Sequence, residues 1–109
     1  MRSPTPANRH GADYAVIAQT LGPPPTPIID AHSHLHGPAA AKIYKRVMDL
    51  FGVERVWSMT HLEHIEEIQA VFDGRFTPIA VPDFRHPDML HAMGKGYRQR
   101  LPEFKALGA

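Results

Sequence analysis

Asp30, His32, His34 and His36 alternate through Ile28-Ile29-Asp30-Ala31-His32-Ser33-His34-Leu35-His36-Gly37, where a short apolar run meets a Gly-Pro break. In an extended strand, side chains at i and i+2 share a face, with Cα atoms about 6.5 Å apart per step. Asp30, His32 and His34 are therefore expected on one side. Two imidazoles so spaced can reach a common metal ion at ~2.0–2.1 Å. Imidazole suits zinc, nickel, iron or copper, so the pair alone does not choose the metal. Chance is the competing reading, because the chain holds eight histidines in 109 residues and a bare H-x-H is a weak signal. The apolar run, the Asp two residues upstream, Gly37-Pro38 and the pattern downstream all add weight to the metal reading.

The elements that must position these residues follow a βα rhythm. Pro27 to Leu35 reads as the first strand, and Pro38 suits the first position of a helix running to about Phe51. In that helix Ile43, Val47, Leu50 and Phe51 form the expected inward stripe. Lys42, Lys45, Arg46 and Asp49 form its solvated face, and Gly52 closes it. Val53 to Thr60 is the second strand. Thr60 and Glu63 match a capping box for a helix to Phe72, with Leu62, Ile65, Ile68 or Gln69, and Phe72 inward and Asp73-Gly74 at its end. Phe76 to Phe84 reads as the third strand, its prolines Pro78 and Pro82 expected at the ends or beside a bulge. His86-Pro87-Asp88 opens a third helix carrying Met89, Met93 and Tyr97. Gly94 and Gly96 weaken it, and Pro102 should break it, leaving Glu103 to Leu107 as a last turn. The first 27 residues stand apart. Met1 to Gly11 reads as a loose arm, Asp13 to Leu21 as a short helix with Tyr14, Ile17 and Leu21 on one stripe, and Pro23 to Pro27 as a stiff spacer.

Bulk properties exclude several classes. Hydrophobic content of 43% and charged content of 21% fit a globular chain. The formal net charge of +1 gives no reason to expect nucleic acid or an acidic membrane as partner. The basic residues Lys95, Arg98, Arg100 and Lys105 read as the charged face of a helix. There is no cysteine, hence neither disulfide nor thiolate site. No apolar run approaches the ~18–20 residues of a membrane span, and no signal-peptide core follows the N-terminus, so the expected location is the cytoplasm.

Strands that alternate with crossover helices form a parallel α/β sheet, whose strand C-terminal ends share one edge. His32, His34 and His36 fall there after the first strand, His61 after the second, and Asp83 and His86 after the third. In α/β folds ligands bind at that edge, which makes His61, Asp83 and His86 candidates for substrate contact. The bland alternatives are a capping-turn role for His61, an Asx turn at Asp83 and a loop position for His86.

The stretch from Ile29 to Gly37 resembles the D-x-H-x-H at the end of the first barrel strand in metal-dependent amidohydrolases. Phe76-Thr77-Pro78-Ile79-Ala80-Val81-Pro82-Asp83-Phe84 resembles the third strand of the amidohydrolase-related branch, which holds hydrolases and decarboxylases. The likeness spans about Pro27 to Ala109. It implies the first three βα units of a TIM (β/α)8 barrel over residues 28–109, with a divalent metal, zinc foremost, on His32 and His34. Asp30 would support these ligands from behind. The implied reaction is hydrolysis of an amide, ester or lactone in a small molecule; the alternatives are decarboxylation and metal or protein binding without turnover. A whole barrel takes roughly 200–250 residues, and no counterpart of the later ligands or of the catalytic acid is present. The expectation is thus an N-terminal portion with no assignable catalytic residue, inactive unless a complementing chain or a second copy completes it.

Overall fold

The computed structural model describes residues 1–109 in full. Its elements run α1 (Tyr14–Leu21), β1 (Ile28–His34), α2 (Pro38–Phe51), β2 (Val53–Met59), a 3-10 turn (Leu62–His64), α3 (Ile65–Phe72), β3 (Phe76–Ile79), α4 (Met89–Met93) and α5 (Lys95–Ala106). The strands form one parallel sheet in the order β1-β2-β3. The expected α/β class is therefore present, with βα units in sequence. No helix is long and apolar enough to cross a membrane.

One face of the sheet carries the core. Val56 of β2 and Phe76 of β3, paired in register, pack with Ala41 and Met48 of α2, Ile65, Ile68 and Phe72 of α3, and Phe104 of α5. Phe72 stacks on Phe76 at 5.7 Å between ring centroids. Strand neighbours in register point the same way, so the opposite face carries Ile29, Arg55, Trp57, Thr77 and Ile79. That face has no layer over it: Ile29 is 58% exposed and Trp57 is 45% exposed. Only 17 of 109 residues are buried, and the radius of gyration, 16.7 Å, exceeds the roughly 13 Å of a compact domain this long. A doubly wound sheet would have helices on both sides; this one is covered on one.

β1 is not a regular strand. Its partners on β2 step from Ile28↔Val53 to Ile29↔Arg55, then from Asp30↔Val56 to Ser33↔Ser58. The second shift leaves three steps on β1 against two on β2, a bulge between Asp30 and Ser33. The two irregularities cancel, and His34 meets Met59. The bulge overturns strict alternation. Asp30, beside Val56, faces the helices, whereas His34, beside Met59, faces the other way. Buried hydroxyls of β2 close the gap. Leu35 N–H donates to Ser58 Oγ at 2.9 Å, and Ser58 Oγ donates to the Ser33 carbonyl at 3.2 Å. Thr60 Oγ1 lies 3.2 Å from both the Leu35 carbonyl and Ser58 Oγ.

Several expected details are corrected. Thr60 does not cap the next helix, because its hydroxyl serves β1; the chain enters α3 through the 3-10 turn, with no side-chain cap. In α2 the apolar stripe points outward: Ile43 is 67% exposed, and Val47 and Leu50 are also exposed, while Ala41 and Met48 are buried. The small Ala41 lets the helix approach the sheet closely, and Tyr44 fills the remaining space beside Phe72. In α1 Tyr14, Ile17 and Leu21 are likewise exposed and only Ala18 is buried; Gly22 closes the helix, and Asp13 stands before it as the N-cap. β3 ends at Ile79, five residues short of the expected strand. The third helix breaks at Gly94, whose backbone leaves the helical region, and α5 then continues through Pro102, which lies exposed. The N-terminal arm closes on itself. Arg2 N–H donates to the Gly11 carbonyl, and the Asn8 amide both donates to and accepts from the Ala12 backbone. The proline spacer packs against the α2–β2 junction: a Cβ on Gly52, whose φ is +71°, would meet Pro24 Cδ at 2.5 Å.

Met48 and Ile43 separate the two readings of α2. Met48→Ala is expected to cost about 2–5 kcal/mol by removing a filled core position. Ile43→Ala, at an outward position, is expected to stay within roughly 0.5 kcal/mol. Denaturant melts of both variants check this, and a large loss at Ile43 would restore the inward stripe.

Candidate metal centre

His32 and His34 converge. Their Nε2 atoms lie 3.2 Å apart, with ring centroids at 5.3 Å. Two nitrogens bound at ~2.0–2.1 Å to one tetrahedral ion stand roughly 3.3 Å apart, so the observed separation fits a shared cation. It also fits an N–H···N hydrogen bond between imidazoles, whichever ring carries the proton. Both side chains are exposed at the end of β1. No group of three or more His, Cys, Asp or Glu surrounds a common point. What the fold presents is a pair.

Asp30 does not stand beside them as strict alternation required. Its Oδ1 accepts from the His32 backbone N–H at 3.0 Å, and its Oδ2 accepts from the Tyr44 hydroxyl on α2. Burial, reinforced by the hydrogen bond to Asp30, pushes the Tyr44 hydroxyl well above the ordinary phenol range, so it stays a donor. Asp30 thus anchors the bulge through the backbone of His32 and touches neither imidazole through a hydrogen bond.

The pair continues into a row. His34 and His36 are 6.0 Å apart between centroids, and His36 and His61 are 5.6 Å apart. His61 begins the 3-10 turn after β2, half-buried, and its Nδ1 is buried without a partner. Burial, with the nearby Arg85 charge, lowers its pKa below the usual imidazole value. Sequence order alone did not place His36 against His61, because the link runs across two loops.

Asp83 and His86 belong to neighbouring arrangements. Asp83 accepts from the Arg85 backbone N–H in an Asx turn at 3.1 Å and joins an ion-pair ring. Arg85 and Arg100 each reach Glu63 at 2.8 Å, Arg85 lies 3.3 Å from Asp83, and Arg100 lies 3.7 Å from it. Burial raises the Glu63 carboxyl's pKa, but a backbone hydrogen bond and the Arg100 and Arg85 guanidiniums outweigh it, so the net shift is downward. Asp83 is lowered by its backbone hydrogen bond from Arg85 and by the two arginines. His86 pairs with His91 at 5.2 Å, and its Nδ1 accepts from the Asp88 N–H at 3.0 Å. Asp83, His86, His91 and Arg100 line a cleft of about 190 Å³, below the usual range for a drug-sized ligand. The ion-pair ring and His91 had no signal in the sequence, since their members come from three separate segments. A larger cavity of about 580 Å³ lies by the free β3 edge, lined by Trp57, Pro78, Ile79, Leu101 and Phe104. None of the four imidazoles of the row lines it, so the largest concavity and the ligating groups do not coincide.

The ion-pair ring sets a pH dependence. Glu63 and Asp83 have folded pKa values below their unfolded ones, so their contribution is complete above about pH 5 and fades as pH falls through the folded values. Wild type should therefore lose more melting temperature between pH 6 and pH 3 than Arg100→Met, which removes one cation from both carboxylates. Equal losses in paired thermal melts would mean that the ring does not set this slope.

Set against protein-family models, curated proteins and solved structures, the chain matches none of them. The reading of the site rests on its own geometry.

Proposed function

We propose that His32 and His34 hold a divalent metal ion, zinc foremost, and that the chain is the N-terminal part of a metal-dependent hydrolase of the amidohydrolase kind. Its substrate would be a small molecule with an amide, ester or lactone bond, and its place of work the cytoplasm. The carrying observation is the 3.2 Å approach of the two Nε2 atoms at the C-terminal end of β1. In barrel enzymes that end is the catalytic one, and helices cover only the outer face of the sheet; here too the helices lie on one face. The bound ion would acidify a water and polarise a carbonyl. The chain's own contribution is positional: the bulge aims His32, Asp30 holds its backbone, and β2 braces the segment behind His34.

Catalytic zinc sites keep three protein ligands and one open position. Two imidazoles leave at least one ligand, and the catalytic acid, to come from other strands or another chain. The uncovered sheet face and the two free strand edges support such completion, by further barrel strands or by a second copy. A second reading, metal binding without turnover, is favoured by the donor count of two.

The site is tested by metal analysis of the untagged chain beside a His32→Ala/His34→Ala variant. One bound equivalent should be lost, and equal content in the two proteins would remove the reading. The open face gives a separate expectation: the chain alone should self-associate as concentration rises, seen by sedimentation or light scattering. A monodisperse monomer with a sharp cooperative melt would speak against the need for completion.

A further inference from the structure

We infer that His36 and His61 form a second divalent-cation site, distinct from the His32–His34 pair and built across the loops that follow β1 and β2. Their ring centroids are 5.6 Å apart with planes inclined by 37°. Two imidazoles bound to one ion at ~2.0–2.1 Å place their centroids roughly 5–6 Å apart. The centroid separation of the pair lies within that range, and rotation of the two side chains would bring a nitrogen of each to a shared ion.

The fold holds both residues through their immediate neighbours. His36 follows Leu35, whose N–H donates to Ser58 Oγ and whose carbonyl lies 3.2 Å from Thr60 Oγ1. His61 follows Thr60 itself. Each imidazole thus sits one residue from a buried cross-strand contact, so the spacing between them is fixed by β1 and β2 and not by loose loops. The Nδ1 of His61 is the second, independent observation. It is buried and has no hydrogen-bond partner. Buried polar atoms are ordinarily paired, and no protein acceptor locks the His61 proton onto that nitrogen. As the Nε2–H tautomer, His61 would keep its Nδ1 lone pair for a cation.

The surroundings select the ion. Only imidazoles are offered, which suits zinc, nickel or copper and not magnesium or calcium, whose ligands are oxygens. The Arg85 charge bears on His61, but Glu63 and Asp83 engage it at 2.8 and 3.3 Å. Completion of the coordination sphere falls to water, since the site supplies two protein nitrogens.

The test is a Zn²⁺ titration of the untagged chain by calorimetry, with His32→Ala/His34→Ala and His36→Ala/His61→Ala beside wild type. Wild type should bind two equivalents and each variant one. A His36→Ala/His61→Ala protein that binds as wild type does would overturn the second site. So would a single wild-type equivalent that disappears in both variants, because that ion would be shared along the row. Loss of binding only with His32 and His34 would overturn this inference and leave the proposed function standing; loss only with His36 and His61 would do the reverse. Far-UV circular dichroism checks that each variant folds. Long-range ¹H–¹⁵N spectra of wild type give a reading free of mutation: Zn²⁺ should shift one ring nitrogen of His36 and one of His61, and unmoved signals at both would overturn the site.

Discussion

The buried hydroxyls of Ser58 and Thr60 are the constraint on which the histidine edge depends. At the bulge in β1 the regular ladder with β2 is interrupted, and a buried N–H or carbonyl left without a partner costs about 1–3 kcal/mol. Ser58 Oγ takes up the Leu35 N–H and the Ser33 carbonyl, and Thr60 Oγ1 reaches the Leu35 carbonyl. Both side chains are fully buried. Ser58 lies in the central strand and Thr60 just beyond its end. They replace missing ladder bonds, and they permit β1 to carry a bulge that includes His32.

The same kink explains why Asp30 and the histidines part company. With an even register Asp30 would stand beside His32 and His34, and a carboxylate so placed would be a third ligand. The extra residue turns it to the helix side, where Tyr44 donates to it and the His32 backbone N–H closes the turn. Asp30 serves geometry, and the metal candidates are left as nitrogens alone. Imidazole nitrogens as a class suit borderline metals and not hard ones.

Much of the fold was legible because periodicity and caps agree with it. The strand starts at Val53 and Phe76, the helix start at Pro38 and the stops at Gly22, Gly52 and Asp73 all follow from local chemistry, and the first strand begins one residue after the expected Pro27. The failures have a common cause. Ile43, Val47 and Leu50 form a good amphipathic stripe, yet tertiary packing chose the face with Ala41 and Met48, since a small residue allows the closer approach. Thr60 fits a capping box, yet a buried backbone group across the sheet competed for its hydroxyl. Gly94 broke a helix that Pro102 was expected to break. In the site, the convergence of His32 with His34 was readable from spacing. The contact of His36 with His61 and the ring of Glu63, Asp83, Arg85 and Arg100 join distant segments, and spacing carries no information about them.

The open sheet poses an opposing pair of signals. Trp57 and Ile29 lie exposed on a face with no layer, as a partial barrel would leave them. Yet both outer strands carry devices that discourage further pairing: β1 has its bulge, and β3 has Pro78, which has no N–H to donate. In β3 the residues bonded to β2 alternate with those turned outward, so Pro78 removes a donor from the free side and not from the existing ladder. A strand added there would lack one bond, which weakens continuation beyond β3 without forbidding it. The imidazole row tips the balance toward function. A hydrogen bond between two exposed side chains contributes about 0.5–1.5 kcal/mol, comparable with the entropy lost in ordering them. Stability therefore gives no reason to align four histidines along the one edge where α/β sheets bind their ligands.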